Sequence, residues 1–263
     1  LDNGDYTVDV RNKDAITAGD GLKKDSFEGK GVASTRTTSN VFTFLNNHGV
    51  PTAFIEAVDD RTFRAHRAEM IPLECVVRRI GTGSWLERHP DDTEGRVFEE
   101  PTFELFYKDD GMHDPLVQVS TVEGYGSVVG VYSAHEPLGA RPNYTLAPWL
   151  VEQYIQYFDD LERITRQVFL LLEEAFTQIT IDGEALVLVD FKIELGVLVD
   201  GSLVVADVID NDSWRVWKGG VKEGQVDKQV FREIVGQMSP EQRQSLKKLF
   251  EQVAEATDAF RTM

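Results

Sequence analysis

Hydrophobic and charged residues alternate along residues 190–195, which read DFKIEL. A period of two is typical of a β-strand with one buried face and one polar face. A second apolar run, LVVADV, follows Asp200-Gly201, and Asp-Gly between two such runs predicts a β-hairpin. A two-residue turn at this point sets the register so that Glu194 lies directly opposite Asp207.

The two facing carboxylates predict a metal site on this hairpin. Like charges that lie opposite each other destabilise a sheet, so a cation between Glu194 and Asp207 would stabilise it. Carboxylate oxygens suit a hard ion such as Mg²⁺, which usually binds together with substrate phosphates. Lys192 falls on the same face as Glu194. The alternative interpretation is a solvent-exposed acidic face without a metal.

Apolar residues recur at helical spacing in residues 32–48, in residues 148–176 and in the segment that begins at Ser239. The last segment has a well-defined start, because Ser239 precedes a proline and is followed three residues later by Gln242. That combination is typical of a capping box, in which each side chain binds a backbone N–H group at the helix start. We expect helices at all these positions.

Short apolar runs without helical spacing predict strands elsewhere in the chain. These runs lie at residues 6–10, 52–57, 62–65, 70–77 and 103–107. Residues 120–147 are rich in Gly, Ser, Pro and Tyr and show no clear period. They are expected to form a long loop or insertion, which is usually either functional or mobile.

Composition narrows the class of protein. The chain has 263 residues and a formal net charge of −18, which argues against nucleic acid or an anionic membrane surface as a general partner. No signal peptide is visible, and no apolar run approaches the roughly 20 residues needed to cross a bilayer. The only cysteine, Cys75, lies in an apolar run, which favours a buried thiol and a reducing compartment. These features predict a cytoplasmic protein.

One segment inverts the acidic balance of the chain. Residues 61–88 contain six arginines and three acidic residues. At the end of this segment, Arg78 to Ser84 places arginines beside glycines and a hydroxyl group, which suits binding of a phosphate by side chains and backbone N–H groups. The alternative interpretation is a set of surface arginines next to a turn.

Several segments together resemble one family. They are KDAITAGDG, EGKG with TSNVF, EMIPLECVVRRIGTGSWLERHP, ELFYKDDGMHDP, LVDFKIELG and ADVIDNDSWRVW, in that order. The ordered set is similar to the phosphoribosylaminoimidazole-succinocarboxamide synthase (SAICAR synthetase) family, over residues 9–235. The double arginine at 78–79 and the DNDSWR segment resemble the animal-type branch.

The resemblance implies an α/β (α+β) fold of antiparallel sheets plus helices, in two lobes with a kinase-like or ATP-grasp-like ATP cleft. Residues 1–77 would form the N-terminal, adenine-side lobe, and residues 78–263 the lobe with the substrate and metal site. The implied activity is an ATP-dependent ligase of purine biosynthesis that uses Mg²⁺. It would join the carboxylate of the ribotide CAIR to L-aspartate through an acyl phosphate, giving SAICAR, ADP and phosphate.

The resemblance also assigns roles to residues at matching positions. The residues implied in catalysis are Lys192, Glu194 and Asp207, and the implied metal ligands are Glu194 and Asp207. The implied CAIR-binding residues are Arg78, Ser84 and Arg215. The implied ATP-binding residues are Met70, Glu74 and Asp207. The residues implied in an aspartate or substrate loop are Lys108, Asp114 and Asp212.

One departure from the family pattern keeps other interpretations open. Family members open with a Tyr-x-Gly-Lys-x-Lys loop over the ATP phosphates, and no segment of this chain matches it. We expect such a segment to precede residue 1 in the full protein. If it is absent, the alternative is a non-catalytic nucleotide- or ribotide-binding relative. A third interpretation is a kinase-like phosphotransferase acting on another small acid, and the sequence leaves the oligomeric state, homo-oligomers included, undetermined.

Overall fold

The computed structural model describes residues 6–19, 21–122, 126–139, 141–145 and 154–263. The chain divides into two compact units, one made of Leu1–Met70 with Val168–Met263 and the other of Ile71–Gln167. We call them the terminal unit and the inserted unit.

These units are not the predicted halves 1–77 and 78–263, because the C-terminal third of the chain packs with the N-terminal residues. In the helix Lys30–Asn47, Asn40 Nδ2 donates to Thr257 Oγ1 at 3.2 Å and to Asp258 Oδ1 at 2.9 Å. The ring of Phe44 in the same helix lies 5.5 Å from that of Phe260. As a division of function, the adenine-side and substrate-side lobes remain a prediction.

Strands and helices alternate irregularly along the chain, as an α/β (α+β) fold requires. The strands are β1 (Thr7–Arg11), β2 (Ala15–Ala18), β3 (Lys23–Ser26), β4 (Phe54–Asp59), β5 (Thr62–His66), β6 (Glu69–Ile80), β7 (Val97–Tyr107), β8 (Leu116–Val122), β9 (Gly126–Tyr132), β10 (Tyr144–Thr145), β11 (Thr180–Ile181), β12 (Glu184–Val197), β13 (Leu203–Ala206) and β14 (Trp214–Lys218). The helices are Lys30–Asn47, Ser84–Arg88, Phe158–Thr177, Gln229–Glu233 and Pro240–Ala256, with 3₁₀ turns at Asp110–Met112, Ile155–Tyr157, Lys222–Gly224 and Thr257–Thr262.

All the strand ladders within each unit are antiparallel. In the terminal unit β5 lies between β1 and β4, β2 pairs with β3, and the long strand β12 pairs with β11, β13 and β14. In the inserted unit the strands follow the order β6-β7-β8-β9-β10. Neighbouring strands of the inserted unit are consecutive in the chain, and antiparallel neighbours of this kind need no crossover connection. The fold therefore matches the expected class of antiparallel sheets plus helices.

The hairpin of β12 and β13 forms as predicted, but its predicted register is wrong by one residue. Leu198 N donates to Ser202 O at 2.9 Å, so the loop has three residues and ends on Gly201 with φ of +86°. Glu194 therefore lies opposite Ala206, not opposite Asp207. A three-residue loop needs a left-handed last residue, and glycine adopts that conformation without the Cβ penalty.

The predicted helices fare differently. The helix Lys30–Asn47 confirms the prediction for 32–48, and Pro240–Ala256 begins with the predicted capping box of Ser239 and Gln242. The prediction for 148–176 is confirmed from Phe158 onward, whereas residues 148–153 lie outside the described residues.

The prediction of a long loop at 120–147 is wrong over its first part. Strand β8 continues to Val122 and pairs with β9, with Val119 opposite Val129. Val129 and Val131 are buried side chains at a spacing of two, but the glycines around them dilute the apolar pattern in the sequence. A short strand is therefore hidden in a stretch with loop-like composition.

A glycine on β12 allows two backbone segments to approach closely. A Cβ atom at Gly196 would lie 2.8 Å from Ala68 Cβ, 3.1 Å from Glu69 O and 3.2 Å from Met70 Sδ. The first two of these atoms cannot rotate away, because one is backbone and the other is fixed to it. The segment that contains Met70 therefore packs against the half of β12 that carries Glu194.

We expect Gly196→Ala to lower the free energy of unfolding by about 1–3 kcal/mol, because the added methyl group overpacks this contact. Urea unfolding followed by circular dichroism measures the change. Gly139→Ala is the matched control, since its Cβ would meet Arg141 O at 3.4 Å and Arg141 N at 4.0 Å, both ordinary contact distances. Equal stability of Gly196→Ala and the wild type would contradict the close approach.

Candidate active site

The polar face of β12 carries two of the three residues that the family resemblance implies in catalysis. Lys192 is exposed and Glu194 is half-buried on this face, with Asp190 two residues before them. Arg215 lies opposite Asp190 on β14, and its Nη1 donates to Asp190 Oδ2 at 2.5 Å. The strand thus presents an ion pair, a lysine and a second carboxylate along one row.

Asp207 lies at the end of β13, directly after the residue that faces Glu194. It is exposed and has φ of +60°, so the strand alternation does not continue through it. The two carboxylates are therefore neighbours on the hairpin without forming a cross-strand pair. Among the described residues, no group of three or more His, Cys, Asp and Glu side chains forms a ready metal site.

Two carboxylate oxygens nevertheless fit an ion that completes its shell with water and phosphate oxygens. Mg²⁺ is commonly held in this way, by one or two carboxylates together with substrate phosphates. The donor set of Glu194 and Asp207 is hard and contains no sulfur or imidazole, which suits this ion. The predicted pair remains a suitable set, although the register argument that first suggested it does not hold.

Asp207 leads into a tight turn at residues 208–213. Asp212 N donates to Asp210 Oδ1 at 2.8 Å, and Ser213 N donates to Asp210 O at 2.8 Å. Ser213 Oγ donates to Val208 O at 3.1 Å. Aspartate and serine stabilise such turns by bonding to nearby backbone groups. We call residues Val208–Ser213 the acidic turn.

Two lysines approach the acidic turn, and sequence reasoning gave neither a role. Lys30 Nζ lies 3.0 Å from Asp212 Oδ2, and Lys228 Nζ lies 3.6 Å from the same oxygen. The EGKG segment that contains Lys30 was a signal, but only through resemblance to the family. The sequence around Lys228 carries no comparable signal.

The charges of the acidic turn influence both lysines. Burial favours a neutral amine, but the nearby charges of Asp210 and Asp212 outweigh burial and hold the pKa of Lys30 above its ordinary value. For Lys228 burial is the stronger effect, and its pKa lies below the ordinary value. Burial, reinforced by the charge of Asp212, raises the pKa of Asp210.

A further buried carboxylate supports β14, the strand that carries Arg215. Asp227 accepts hydrogen bonds from Val216 N at 2.9 Å and from Gln229 N at 2.7 Å. Burial raises the pKa of Asp227 to about 6, although both hydrogen bonds favour its charged form. Asp227 therefore ties β14 to the start of the helix Gln229–Glu233, and no sequence signal had singled it out.

The inserted unit contains a buried cluster of two arginines and one glutamate. Arg78 Nε donates to Glu104 Oε2 at 2.7 Å, and Arg88 Nη2 donates to Glu104 Oε1. The three residues are only 4%, 1% and 8% exposed for Arg78, Arg88 and Glu104. Burial raises the pKa of Glu104, but the two guanidinium groups outweigh this and hold its pKa below the ordinary value. Among these three groups one positive charge is in excess, which suits an anionic ligand.

The predicted phosphate-binding residues of the inserted unit lie together. Arg78 Nη2 is 3.4 Å from Ser84 Oγ, and Ser84 is the first residue of the helix Ser84–Arg88. Gly83, with φ of +58°, precedes that helix. Sequence reasoning did not assign a role to Arg88, whose Nε is buried without a hydrogen-bond partner among the described residues.

The other predicted residues occupy separate positions. Met70 and Glu74 both lie on β6. Met70 is exposed, belongs to the terminal unit and packs near Gly196. Glu74 belongs to the inserted unit, where it lies opposite Phe106 on β7. Neither position tests the predicted contact with ATP.

Lys108 and Asp114 flank a loop at the end of β7. Lys108 is exposed, and its backbone N donates to Pro72 O at 3.1 Å. Asp114 has φ of +44°, and its Oδ1 accepts a hydrogen bond from Asp109 N at 2.9 Å. Asp114 thus closes this loop, which gives it a structural role beside the predicted one.

In the terminal unit, the carboxylates and lysine of the hairpin and the arginine of β14 suit ligands that carry phosphate and carboxylate groups. In the inserted unit, the buried pair of Arg78 and Ser84 suits a phosphate. The fold and these residues place the protein among the α/β enzymes that act on such anions. No described helix of this chain is long and apolar enough to cross a membrane.

Comparison with known proteins identifies the family. The model of the SAICAR synthetase family matches residues 2–249. The phosphoribosylaminoimidazole-succinocarboxamide synthase of Roseiflexus castenholzii is 43% identical over 254 residues, which cover 95% of this chain and 88% of the relative. The chain belongs to the SAICAR synthetase family and is an enzyme of this kind, a ligase of purine biosynthesis.

Solved structures agree with this assignment. A type-2 SAICAR synthetase in complex with ADP has a TM-score of 0.75 at 26% identity, covering 98% of this chain and 94% of that one. The type-1 SAICAR synthetase of Pyrococcus horikoshii OT3 has a TM-score of 0.74 at 27% identity, covering 98% of this chain and 96% of that one. The mixed α/β fold with antiparallel sheets is therefore the fold of this family.

We expect Glu104→Gln to lower the free energy of unfolding by about 3–5 kcal/mol at neutral pH, because it removes the buried carboxylate that both guanidinium groups contact. The pKa of Glu104 is lowered in the folded state, so its contribution is present above the ordinary value of 4.5 and declines as the pH falls. Urea unfolding at several pH values measures both effects.

The matched control for this prediction is Glu56→Gln, which removes a glutamate from an exposed pair with Arg64 at 3.1 Å. Exposed ion pairs contribute little, so this variant should unfold almost as the wild type does. The acid-induced loss of stability should be smaller in Glu104→Gln than in the wild type. If the free energy of unfolding falls equally with decreasing pH in Glu104→Gln and in the wild type, the cluster is not the source of that loss.

Proposed function

We propose that this chain joins CAIR and L-aspartate with the hydrolysis of ATP, giving SAICAR, ADP and phosphate. The observation that carries the proposal is the row of Lys192 and Glu194 on β12, with Asp207 beside it on the same hairpin, in a chain of this family. A protein that only binds nucleotides has little need for paired carboxylates beside a lysine. The ADP complex of a similar SAICAR synthetase supports nucleotide binding here.

The reaction needs activation of the CAIR carboxylate. A free carboxylate is a poor acyl donor, because its leaving group would be oxide. Transfer of the γ-phosphoryl group of ATP to a carboxylate oxygen gives an acyl phosphate, whose leaving group is phosphate. The amine of L-aspartate then attacks the acyl carbon, the carbon–oxygen bond to phosphate breaks, and the attacking nitrogen loses its proton.

The residues of the hairpin divide this work. Glu194 and Asp207 would hold Mg²⁺, which offsets the crowding of negative charge as a phosphoryl group moves. Lys192 is exposed on the same face as Glu194, and its ammonium can neutralise the CAIR carboxylate or the transferring phosphoryl group. Met70 and Glu74 on β6 are the residues proposed to meet ATP.

Arg78, Ser84 and Arg215 are proposed to bind the ribotide phosphate. The 3.4 Å separation of Arg78 Nη2 and Ser84 Oγ supports joint recognition of one phosphate by these two residues. The pairing of Arg215 with Asp190 fixes the guanidinium in orientation while leaving it partly exposed. Charge-assisted hydrogen bonds of this kind favour phosphate strongly.

The aspartate side of the reaction has less support. Lys108, Asp114 and Asp212 are proposed to contact L-aspartate or CAIR. Asp114 accepts a hydrogen bond from Asp109 N, and Asp212 contacts Lys30 and Lys228. These contacts fix the positions of Asp114 and Asp212. Cys75 is the one cysteine of the sequence and is buried, which is consistent with the cytoplasm as the proposed compartment.

We expect the purified protein to form SAICAR and ADP when it is supplied with Mg-ATP, CAIR and L-aspartate. Glu194→Gln and Asp207→Asn should each lower kcat at least about 100-fold, because the loss of a metal ligand removes several kcal/mol of transition-state stabilisation. Asparagine is the appropriate substitute at position 207, since it tolerates the left-handed conformation found there. Coupled ADP release and chromatography of SAICAR measure the rates.

Two carboxylates outside the proposed site serve as controls. Glu184 lies at the exposed start of β12, and Asp200 lies in the hairpin loop. The control variants are Glu184→Gln and Asp200→Asn. Both variants should keep wild-type rates. A full-length, folded protein that binds nucleotide but forms no SAICAR would favour the non-catalytic interpretation, and phosphorylation of a different small acid would favour the phosphotransferase.

We expect Arg215→Gln to raise the KM for CAIR by about 10- to 100-fold, since one charge-assisted hydrogen bond contributes roughly 1.5–3 kcal/mol. The KM for ATP should change little. Steady-state kinetics with each substrate varied in turn provides the measurement, and urea unfolding reports the cost of removing Arg215 from buried Asp190. A rise confined to the KM for ATP would place Arg215 in the wrong subsite.

A further inference from the structure

Lys30 occupies a position that its local surroundings disfavour. It is the first residue of the helix Lys30–Asn47 and is only 6% exposed. The N-terminus of a helix carries partial positive charge, which repels a cation, and burial of an ammonium group costs further free energy. The ring of Phe250, 5.7 Å from Nζ, supplies only a weak interaction. The compensating charge must come from outside the helix.

That charge comes from the acidic turn. Lys30 Nζ contacts Asp212 Oδ2 at 3.0 Å, while Lys228 lies further away at 3.6 Å. Asp212 Oδ1 is buried and has no hydrogen-bond partner among the described residues. Asp210, two residues earlier, is only 2% exposed. The turn therefore holds two carboxylates close together in a poorly solvated place, and Lys30 is its nearest cation.

The acidic turn is joined directly to the proposed catalytic strand. Lys192 N donates to Ser213 O at 2.7 Å, so a backbone hydrogen bond ties the position of the proposed catalytic lysine to this turn. Thr38 lies about two helical turns after Lys30, and its Oγ1 donates to Ile209 O at 3.2 Å. The helix Lys30–Asn47 thus holds the turn through the ionic contact of Lys30, the hydrogen bond of Thr38 and a side-chain hydrogen bond between Ser34 and Asp210.

The turn also separates two other proposed site residues. Asp207 immediately precedes it and Arg215 follows it by two residues. Trp214 Nε1 donates to Asn211 Oδ1 at 2.9 Å, which fixes the turn to the start of β14. A shift of the turn would therefore move Asp207, Lys192 and Arg215 together.

We propose that Lys30 is a positioning residue for the ligase reaction, acting through Asp212 to hold the acidic turn in the geometry that catalysis requires. The proposal rests on the function proposed above. Lys30 contacts no substrate in this role. Without its charge, Asp210 and Asp212 repel each other and the turn relaxes, although the helices and sheets around it persist.

Lys30→Met should lower kcat about 100-fold, the loss that follows from misplacing reacting groups by about 1 Å. The KM for CAIR should rise less than it does in Arg215→Gln, because Lys30→Met displaces the guanidinium group of Arg215 without removing it. Lys218→Met is the matched control, since Lys218 forms a similar pair with Asp182 at 2.9 Å outside the proposed site. This control should keep the wild-type kcat.

A double-mutant cycle tests whether Lys30 acts through Asp212. If it does, Lys30→Met/Asp212→Asn should be no slower than the slower single variant, within about twofold. Independent roles would instead multiply the two losses. If Lys30→Met does not fold, Lys30→Gln replaces it in the same cycle, because glutamine keeps a donor for Asp212 and removes the charge.

The indole N–H resonance of Trp214 gives a readout that does not depend on activity. Trp214→Phe identifies it by its disappearance from a ¹⁵N correlation spectrum. Lys30→Met should shift this resonance clearly more than Lys218→Met does, because of these two lysines Lys30 is the one that contacts the acidic turn. This measurement separates the two proposals: a wild type that makes no SAICAR contradicts the ligase function, whereas the resonance still reports on Lys30.

Three results would overturn the role of Lys30. They are a folded Lys30→Met variant with wild-type kcat, a Trp214 resonance that does not move, and losses that multiply in the cycle. A purely structural lysine predicts the first and second of these, because folded molecules of the variant would then keep their normal turn and their normal kcat. A lower midpoint temperature of unfolding does not by itself distinguish a positioning role from a structural one. The kinetics are therefore measured well below that temperature.

Discussion

Charge that is removed from water has to be neutralised where it lies, and this requirement links distant parts of the chain in each unit. In the terminal unit it joins Lys30, at the start of a helix, to Asp212 in a turn near the other end of the sequence. In the inserted unit it joins Arg78 on β6 and Arg88 in a short helix to Glu104 on β7. Each contact fixes the position of residues beside it that are proposed to bind ligands.

Stability alone does not explain these contacts. A buried ion pair is often no more stable than apolar residues of the same volume, so the core could be built without it. Apolar side chains already surround the charges, as with Phe250 beside Lys30 and Phe106 beside Arg88. What the ionic arrangement adds is direction, because a charged pair has fewer favourable geometries than an apolar contact. That property suits a site that handles phosphates and carboxylates.

Local patterns in the sequence predicted the elements well and their partners poorly. The period of two along β12, the Asp-Gly hairpin signal and the capping box at Ser239 all depend on residues a few positions apart, and all three are confirmed. The roles of Lys30 and Glu104 depend on contacts made only after folding. No periodicity or spacing carries that information, and the family resemblance alone pointed to their neighbourhood.

The error in register shows how far a local signal can be trusted. Asp-Gly is compatible with a two-residue turn and with a three-residue loop that ends on Gly201, and these differ by one residue in pairing. One residue is enough to replace Asp207 by Ala206 opposite Glu194. The metal proposal survives because it needs two carboxylates near each other, and it does not need them to be directly opposite.

The backbone at Asp207 gives an independent reason for its identity. Its φ of +60° lies in the left-handed region, which costs most residues about 1–2 kcal/mol and which glycine, asparagine and aspartate tolerate best. Of these three types only aspartate supplies a negative charge. This conformation ends the strand and leads the chain into the acidic turn. It also restricts position 207 to a few residue types, and aspartate is the one of them that can bind a cation. A purely structural explanation accounts for the first two of these features and leaves the choice of aspartate over glycine or asparagine unexplained.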